Sequence, residues 1–217
     1  MKDRYVENEA ENTNNYLALM DMWRLKYLEL NRKELAKRFA LESTQKAHYI
    51  VYFNEKYRID QENGMISLCT APERELSFNT AMAIYHLFYF SKPYAAPSGI
   101  FVPFRDVKRA APFEEAYKKT ILKEAAEKFN GHLSGLKSAC EALGGVKIKA
   151  GDAGYMIRAF KCMPLEFIFW EGDDEFASQA NILFDSNITD FIHEETVVVI
   201  AGELIRRISE EMNLQAF

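Results

Sequence analysis

Between Ala47 and Leu68 the apolar residues come in short β-branched and aromatic runs: Tyr49, Val51 and Phe53, then Tyr57 and Ile59, then Met65, Ile66 and Leu68. On either side of this stretch the apolar residues recur every three or four positions instead. A change of period from about 3.6 to 2 and back requires strands set between helices, because a helical pattern cannot bury one face as a strand. Asn54-Glu55 and Asn63-Gly64 separate the runs with turn chemistry, and Asn63-Gly64 is the stronger of the two. The expectation is a three-stranded antiparallel meander.

Upstream, Tyr16, Met20, Trp23, Tyr27 and Leu30 share one face of a long first helix, with Asn12 to Asn15 as candidate caps and frayed chain before them. That face packs on the helix's own domain, or else meets a second copy in a homodimer. Phe78, Ala81, Met82, Tyr85, Phe88 and Tyr89 return to helical spacing, which ends before Pro93. Ser91 to Pro103 reads as an irregular surface loop. Pro112 suits a helix start, with Phe113, Ala116, Tyr117, Thr120, Ile121 and Ala125 as its apolar stripe. Another helix, about His132 to Leu143, stops at Gly144-Gly145.

Strands then follow at Val146 to Lys149, Tyr155 to Cys162, Leu165 to Trp170 and Ala180 to Phe184, with Met163-Pro164 and Glu171-Gly172 as breaks. A last helix opens at Thr196 and buries Val197, Ile200, Ala201, Leu204, Ile205, Ile208 and Met212. Its other face carries Glu203, Arg206, Arg207, Glu210 and Glu211 as surface pairs. Strands and helices cluster without strict alternation, so the fold class expected is α+β: small antiparallel sheets packed with about five helices, the first and last being long. A helical extension over 1–41 and one α+β domain over 42–217 is the expected division.

With 217 residues, 48% of them hydrophobic, the chain can bury a full core without covalent staples. Its three cysteines, Cys69, Cys140 and Cys162, are odd in number and far apart, and read as buried thiols in a reducing compartment. Met1 to Asn15 lacks the basic-then-apolar order of a secretory signal, and the longest apolar run, Thr196 to Gly202, is too short to span a bilayer. A cytoplasmic protein with no membrane partner is expected. A net charge of −5 argues against nucleic acid, whose phosphates select basic surfaces. The basic run Arg32 to Arg38 reads as the solvated side of a helix.

Most motifs fail on spacing. Gly144-Gly145 and Gly151-Asp152-Ala153-Gly154 are followed by strand patterns rather than by a helix N-terminus, so they do not make a phosphate loop. Ser98-Gly99 lies in a proline-rich loop and not in a nucleophile elbow. His48, His86, His132 and His193 are dispersed, and the first two fall in strand and helix cores.

One stretch concentrates chemistry. Phe167 to Phe176 reads Phe-Ile-Phe-Trp-Glu-Gly-Asp-Asp-Glu-Phe, followed by Asn181 to Asp185 and Asp190 to Glu195. Trp170, Glu171, Asp173, Asp174, Glu175 and Asp185 are the candidate ligand- or partner-binding residues. Carboxylates this dense repel, and a hard cation held by Asp173, Asp174, Glu175, Asp185 and His193 would relieve them, as in a metal-dependent enzyme. A calcium loop is excluded, because the sixth and twelfth positions counted from Asp185 are Asp190 and Thr196. A solvated turn explains the same residues. If the two strands form a hairpin, Asp185 lies at the far end from the other acids.

Trp170-Glu-Gly-Asp-Asp-Glu-Phe176, Ile182-Leu-Phe-Asp185 and His193-Glu-Glu195 resemble the signature of a prokaryotic family known as domain of unknown function 3786. The resemblance extends back to about Glu42 through Tyr57-Arg-Ile-Asp60, Tyr85-His-Leu-Phe-Tyr89, Phe101 to Val107 and Leu143-Gly-Gly145. Some members of that family join the domain to a four-cysteine iron–sulfur module. The resemblance therefore implies an accessory role in cofactor or one-carbon metabolism of anaerobes, although this chain has only three scattered cysteines. It names no cofactor and no catalytic residue, and leaves open whether the chain is an enzyme.

Overall fold

The computed structural model describes residues 2–213, with side chains from residue 15 onward. Contacts divide the chain into two compact units, Met1–Ile50 with Lys56–Tyr89, and Val51–Glu55 with Phe90–Phe217.

The first unit contains helices α1 (Lys2–Glu29), α2 (Arg32–Arg38) and α3 (Phe78–Phe90), with strands β1 (Glu42–Ser43), β2 (Ala47–Tyr52), β3 (Glu55–Asp60) and β4 (Ile66–Leu68). The strands form an antiparallel sheet in the order β1-β2-β3-β4, so the expected meander gains a short edge strand. Gly64, at φ 75°, closes the β3–β4 turn. There Asp60 Oδ1 accepts the N–H groups of Glu62 (2.9 Å) and Asn63 (3.1 Å). The predicted face of α1 meets α3: the Trp23 ring stands edge-on to His86 at 4.3 Å and to Tyr89 at 5.1 Å, and Tyr27 lies against Phe88 at 5.7 Å. Helix α1 begins at Lys2, so the asparagines expected to cap it lie within it. The cap that does form is Asn31, whose side chain accepts the Glu34 N–H at the start of α2.

The second unit is built on a five-stranded antiparallel sheet in the order β5-β9-β8-β7-β6. The strands are β5 (Phe101–Pro103), β6 (Val146–Lys147), β7 (Ala153–Phe160), β8 (Met163–Trp170) and β9 (Gln179–Asp185). Its α-helices are α4 (Glu114–Tyr117), α5 (Lys123–Phe129), α6 (Leu133–Ala142) and α7 (Glu194–Glu211). Alternation along the strands buries Tyr155, Ile157, Leu165, Phe167, Phe169, Ile182 and Phe184. Phe129 of α5 stands edge-on to Phe167 and Phe169, and every predicted core residue of α7 from Val197 to Ile208 is buried.

Phe101–Pro103 is no loop but an edge strand paired to β9. Met163-Pro164 does not break the chain; the turn falls at Lys161-Cys162, and Pro164 sits opposite Arg158 beside a bulge, where a missing N–H is tolerated. A π turn at Lys118–Leu122 separates α4 from α5 and shifts the helical phase. Phe113, which lies in a 3-10 turn before α4, and Ala116 and Thr120 are exposed, whereas Tyr117, Ala125, Ala126 and Phe129 are buried. Of the cysteines, all free, only Cys140 is buried, and Cys69 is exposed. Glu194 and Glu195 belong to the first turn of α7 rather than preceding it.

The polar face of α7 is also partly interior. Glu203 and Arg207 are only 1% and 5% exposed, because the hairpin tip Val51–Glu55 packs within this unit. The Arg207 guanidinium lies 5.1 Å from the Tyr52 ring and 5.4 Å from the Phe53 ring, and pairs with Glu55 and Glu203. Phe53 and Asn54 take φ of 45° and 63° in the hairpin turn. Phe53 N–H donates to Ala159 O at 2.9 Å and Asn54 Nδ2 to Ala142 O at 3.2 Å. These contacts offset the strain of placing a phenylalanine in the left-handed region.

Candidate functional site

Strand β8 ends at Trp170, paired with Gln179 of β9, and residues 171–178 connect the two. Backbone and side-chain hydrogen bonds fix this loop at nearly every step. Glu171 N–H donates to Asp152 Oδ2 at 2.8 Å, and Glu171 Oε1 accepts the Gly131 N–H. Gly172 N–H donates to Asn130 Oδ1 at 3.1 Å. Asp173 Oδ1 accepts the N–H groups of Glu175 (2.9 Å) and Phe176 (2.7 Å), closing an Asx turn. Ser178 Oγ donates to Ala126 O at 3.0 Å. Only glycine fits at 172, where a Cβ would lie 2.8 Å from Ser178 N.

The loop and the end of α5 border an open groove of about 520 Å³, lined by Glu127, Asn130, Gly172, Asp173, Asp174, Phe176, Ala177 and Ser178. Its volume is in the range of small-ligand sites. Phe176 is 67% exposed and Trp170 39%. The N–H of Phe176, and after it that of Glu175, stabilise the Asp173 carboxylate and hold its pKa below the usual aspartate value. Among the described residues no cation pairs with Asp174 or Glu175, whereas Glu127 meets Lys123 one turn back at 3.8 Å.

Of the candidate residues, Trp170, Glu171, Asp173, Asp174 and Glu175 thus share the loop, but with different tasks. Glu171 Oε1 and Asp173 Oδ1 accept backbone N–H groups, whereas no such bond reaches the carboxylate of Asp174 or Glu175 among the described residues. Asp185 is elsewhere, at the opposite end of β9 and only 2% exposed. Its Oδ1 accepts Ser98 N–H (3.0 Å), Ser98 Oγ (3.0 Å) and Asn187 N–H (2.9 Å), and its Oδ2 accepts Gly99 N–H (2.8 Å). Burial by itself would raise the Asp185 pKa, but these bonds together bring it below the ordinary value. His193 caps α7, its Nδ1 accepting Glu195 N–H at 3.4 Å, and its ring lies 5.4 Å from Phe90. Among the described residues no three His, Cys, Asp or Glu side chains are grouped to hold a metal ion.

Residue patterns did not point to Glu127, Asn130, Asp152 or Ser178 as parts of this site. Gly151-Asp152 signals a turn, and nothing in a turn signal says which distant loop it will hold. At Gly151, φ is 60° and an added Cβ would lie 2.4 Å from Phe169 O, so the turn presses against the end of β8. That contact brings Asp152 under Glu171.

Two antiparallel sheets with flanking helices, and a pinned acidic and aromatic loop beside a groove, define an α+β protein with an open surface groove. The chain belongs to the family described as a domain of unknown function, DUF3786, whose model matches residues 31–207. The match begins before the expected Glu42 and takes in α2, both sheets and the whole loop. No curated protein and no solved structure matches the chain. Among the described residues no helix is long and apolar enough to cross a membrane.

Proposed function

We propose that this chain is a non-enzymatic binding domain that presents the Trp170–Ser178 loop and its groove to a ligand or partner protein, as a cytoplasmic accessory factor. The observation that carries this reading is the combination of a hydrogen-bonded loop with an exposed Phe176 ring and the carboxylates of Asp174 and Glu175, which have no cation beside them among the described residues. A rigid loop loses little conformational freedom on binding, so the apolar ring and the charges contribute to affinity with a small entropic penalty. Aromatic residues ringed by polar groups are the usual anchors of such surfaces. A link to cofactor or one-carbon metabolism follows from the family resemblance and sets the extract in which to look.

The test is affinity capture from an extract of the native host with the whole chain as bait. Phe176→Ser together with Asp174→Ala and Glu175→Ala abolishes capture of the partner while the melting temperature stays unchanged. Capture that survives the triple substitution removes the loop as the binding surface. Metal dependence is the competing reading, raised by the Glu127, Asp173 and Asp174 carboxylates that border the groove, although among the described residues no three such side chains are grouped around one point. Stoichiometric divalent metal in purified protein, with a thermal shift on its removal, would replace the binding reading with that one.

A further inference from the structure

The first unit carries a second groove, of about 500 Å³, whose chemistry is opposite in sign. It is lined by Thr44, Gln45, Lys46, Ala47, Tyr49 and Arg58, with no carboxylate among them, in a chain whose net charge is −5. We infer that this groove binds an oxyanion-bearing small molecule, a phosphate or carboxylate compound, between the Lys46 ammonium and the Arg58 guanidinium.

The alternation of β2 explains how the groove arises. His48, Ile50 and Tyr52 are buried on one face of the sheet, which leaves Tyr49 on the other, beside Arg58 of β3. The segment leading into β2 is held rigidly. Thr44 Oγ1 accepts the N–H groups of Lys46 (3.3 Å) and Ala47 (3.0 Å). Gln61 clamps the same segment from outside, donating its side-chain N–H to Thr44 O and its backbone N–H to Lys46 O, each at 2.8 Å. Lys46 is therefore fixed at its backbone while its ammonium has no partner among the described residues.

Arg58 is held differently. Its Nη2 donates to Asp60 Oδ2 at 2.7 Å, and the other oxygen of Asp60 is taken by the Glu62 and Asn63 N–H groups. Asp60 thus orients the guanidinium through one nitrogen and the Tyr49 side chain hydrogen-bonds it as well, while the remaining donors of the planar fork are left for a ligand, the geometry that suits phosphate and carboxylate. A third cation, Lys56, lies 4.9 Å from the Tyr49 ring centroid and pairs with Glu42 at 2.6 Å. The two acids compensate Arg58 and Lys56. The charge of Lys46 remains, and an anion in the groove would satisfy it together with the unused Arg58 donors.

The experiment is an amide NMR titration of the full chain with pyrophosphate and, separately, with citrate, at constant ionic strength. Saturable shifts confined to the amides of residues 44–49 and 58 are expected. Lys46→Ala and Arg58→Gln each weaken the midpoint about tenfold, the loss of one charge-assisted contact, while Lys161→Ala, a lysine of the other unit, leaves it unchanged. Response to pyrophosphate alone assigns a phosphate compound, response to citrate alone a carboxylate, and response to both an oxyanion read by charge. No saturable shift with either anion overturns the inference, as does a midpoint that both groove substitutions leave unchanged in well-dispersed, folded protein.

Discussion

The buried carboxylate of Asp185, at the end of β9, accepts the backbone N–H of Gly99 at 2.8 Å and so ties the proline-rich segment between α3 and β5 to the sheet. Three further donors converge on the same carboxylate. Asp185→Ala leaves these donors without an acceptor and is expected to cost about 3 kcal/mol in urea unfolding. Since the folded pKa lies below the unfolded one, this contribution is fully present above the ordinary aspartate pKa and is lost as pH falls from there through the lower folded value. The wild type therefore loses its advantage over Asp185→Ala in acid. An advantage that is the same at neutral and strongly acid pH would contradict the assignment.

Within the acidic loop, Asp173 and its neighbours separate by role. Asp173→Ala removes the acceptor for two N–H groups, loosens the turn and lowers the melting temperature. The pair Asp174→Ala and Glu175→Ala removes more charge and leaves the melting temperature where it was. Differential scanning fluorimetry of the two variants distinguishes them, and equal effects would mean that the Asx turn is not what holds the loop.

His48 is 3% exposed, with Nδ1 2.8 Å from Ser43 Oγ. Burial first, and then the charge of Arg32, lower its pKa from the ordinary 6.5. Just below that pH the unfolded chain binds a proton that the folded chain does not, so stability falls as pH drops through 6.5, by at most about 1.4 kcal/mol per pH unit. His48→Gln should flatten that slope between neutral and mildly acid pH. Urea titrations across the window check it, and an unchanged slope would place the titrating group elsewhere.

Arg207 combines a buried charge with ring contacts. Arg207→Ala removes the partner of Glu55 and the cover over Tyr52 and Phe53, and is expected to cost about 3 kcal/mol. Arg207→Met keeps the packing but removes the Arg207 charge from the buried Glu203 carboxylate, so it should recover only the packing part of that loss. Equal losses in the two variants would show that charge rather than packing dominates.

How far the sequence could be read depended on the range of the forces involved. Strand alternation in Ala47 to Leu68 and the stripe from Val197 to Ile208 are local patterns, and both elements stand where periodicity put them. The single helix expected after Pro112 is broken into a 3-10 turn at Phe113, α4, a π turn and α5, and neither a 3-10 nor a π turn has a residue signature that would separate it from an ordinary helical turn. Pro164 read as a break and proved to lie in β8, where a bulge dispenses with its N–H. Arg207 read as a surface charge until the hairpin tip covered it. The separation of Asp185 from the loop acids was legible, since hairpin geometry alone puts them at opposite ends.

The α+β class, the antiparallel meander of Ala47 to Leu68, most of the core and the position of the acidic loop were legible along the chain, because burial periodicity and turn chemistry act over a few residues, whereas the edge pairings of β1 and β5 were not. Tertiary structure decided which carboxylates are occupied and which are not, as Asp152, Asn130, Gly131, Ser98 and Gly99 reach their partners only across the fold. It also decided that cations line one groove and carboxylates the other. Hydrogen bonds and charge pairs are short-ranged and directional, and so belong to residues that meet in space whatever their separation along the chain.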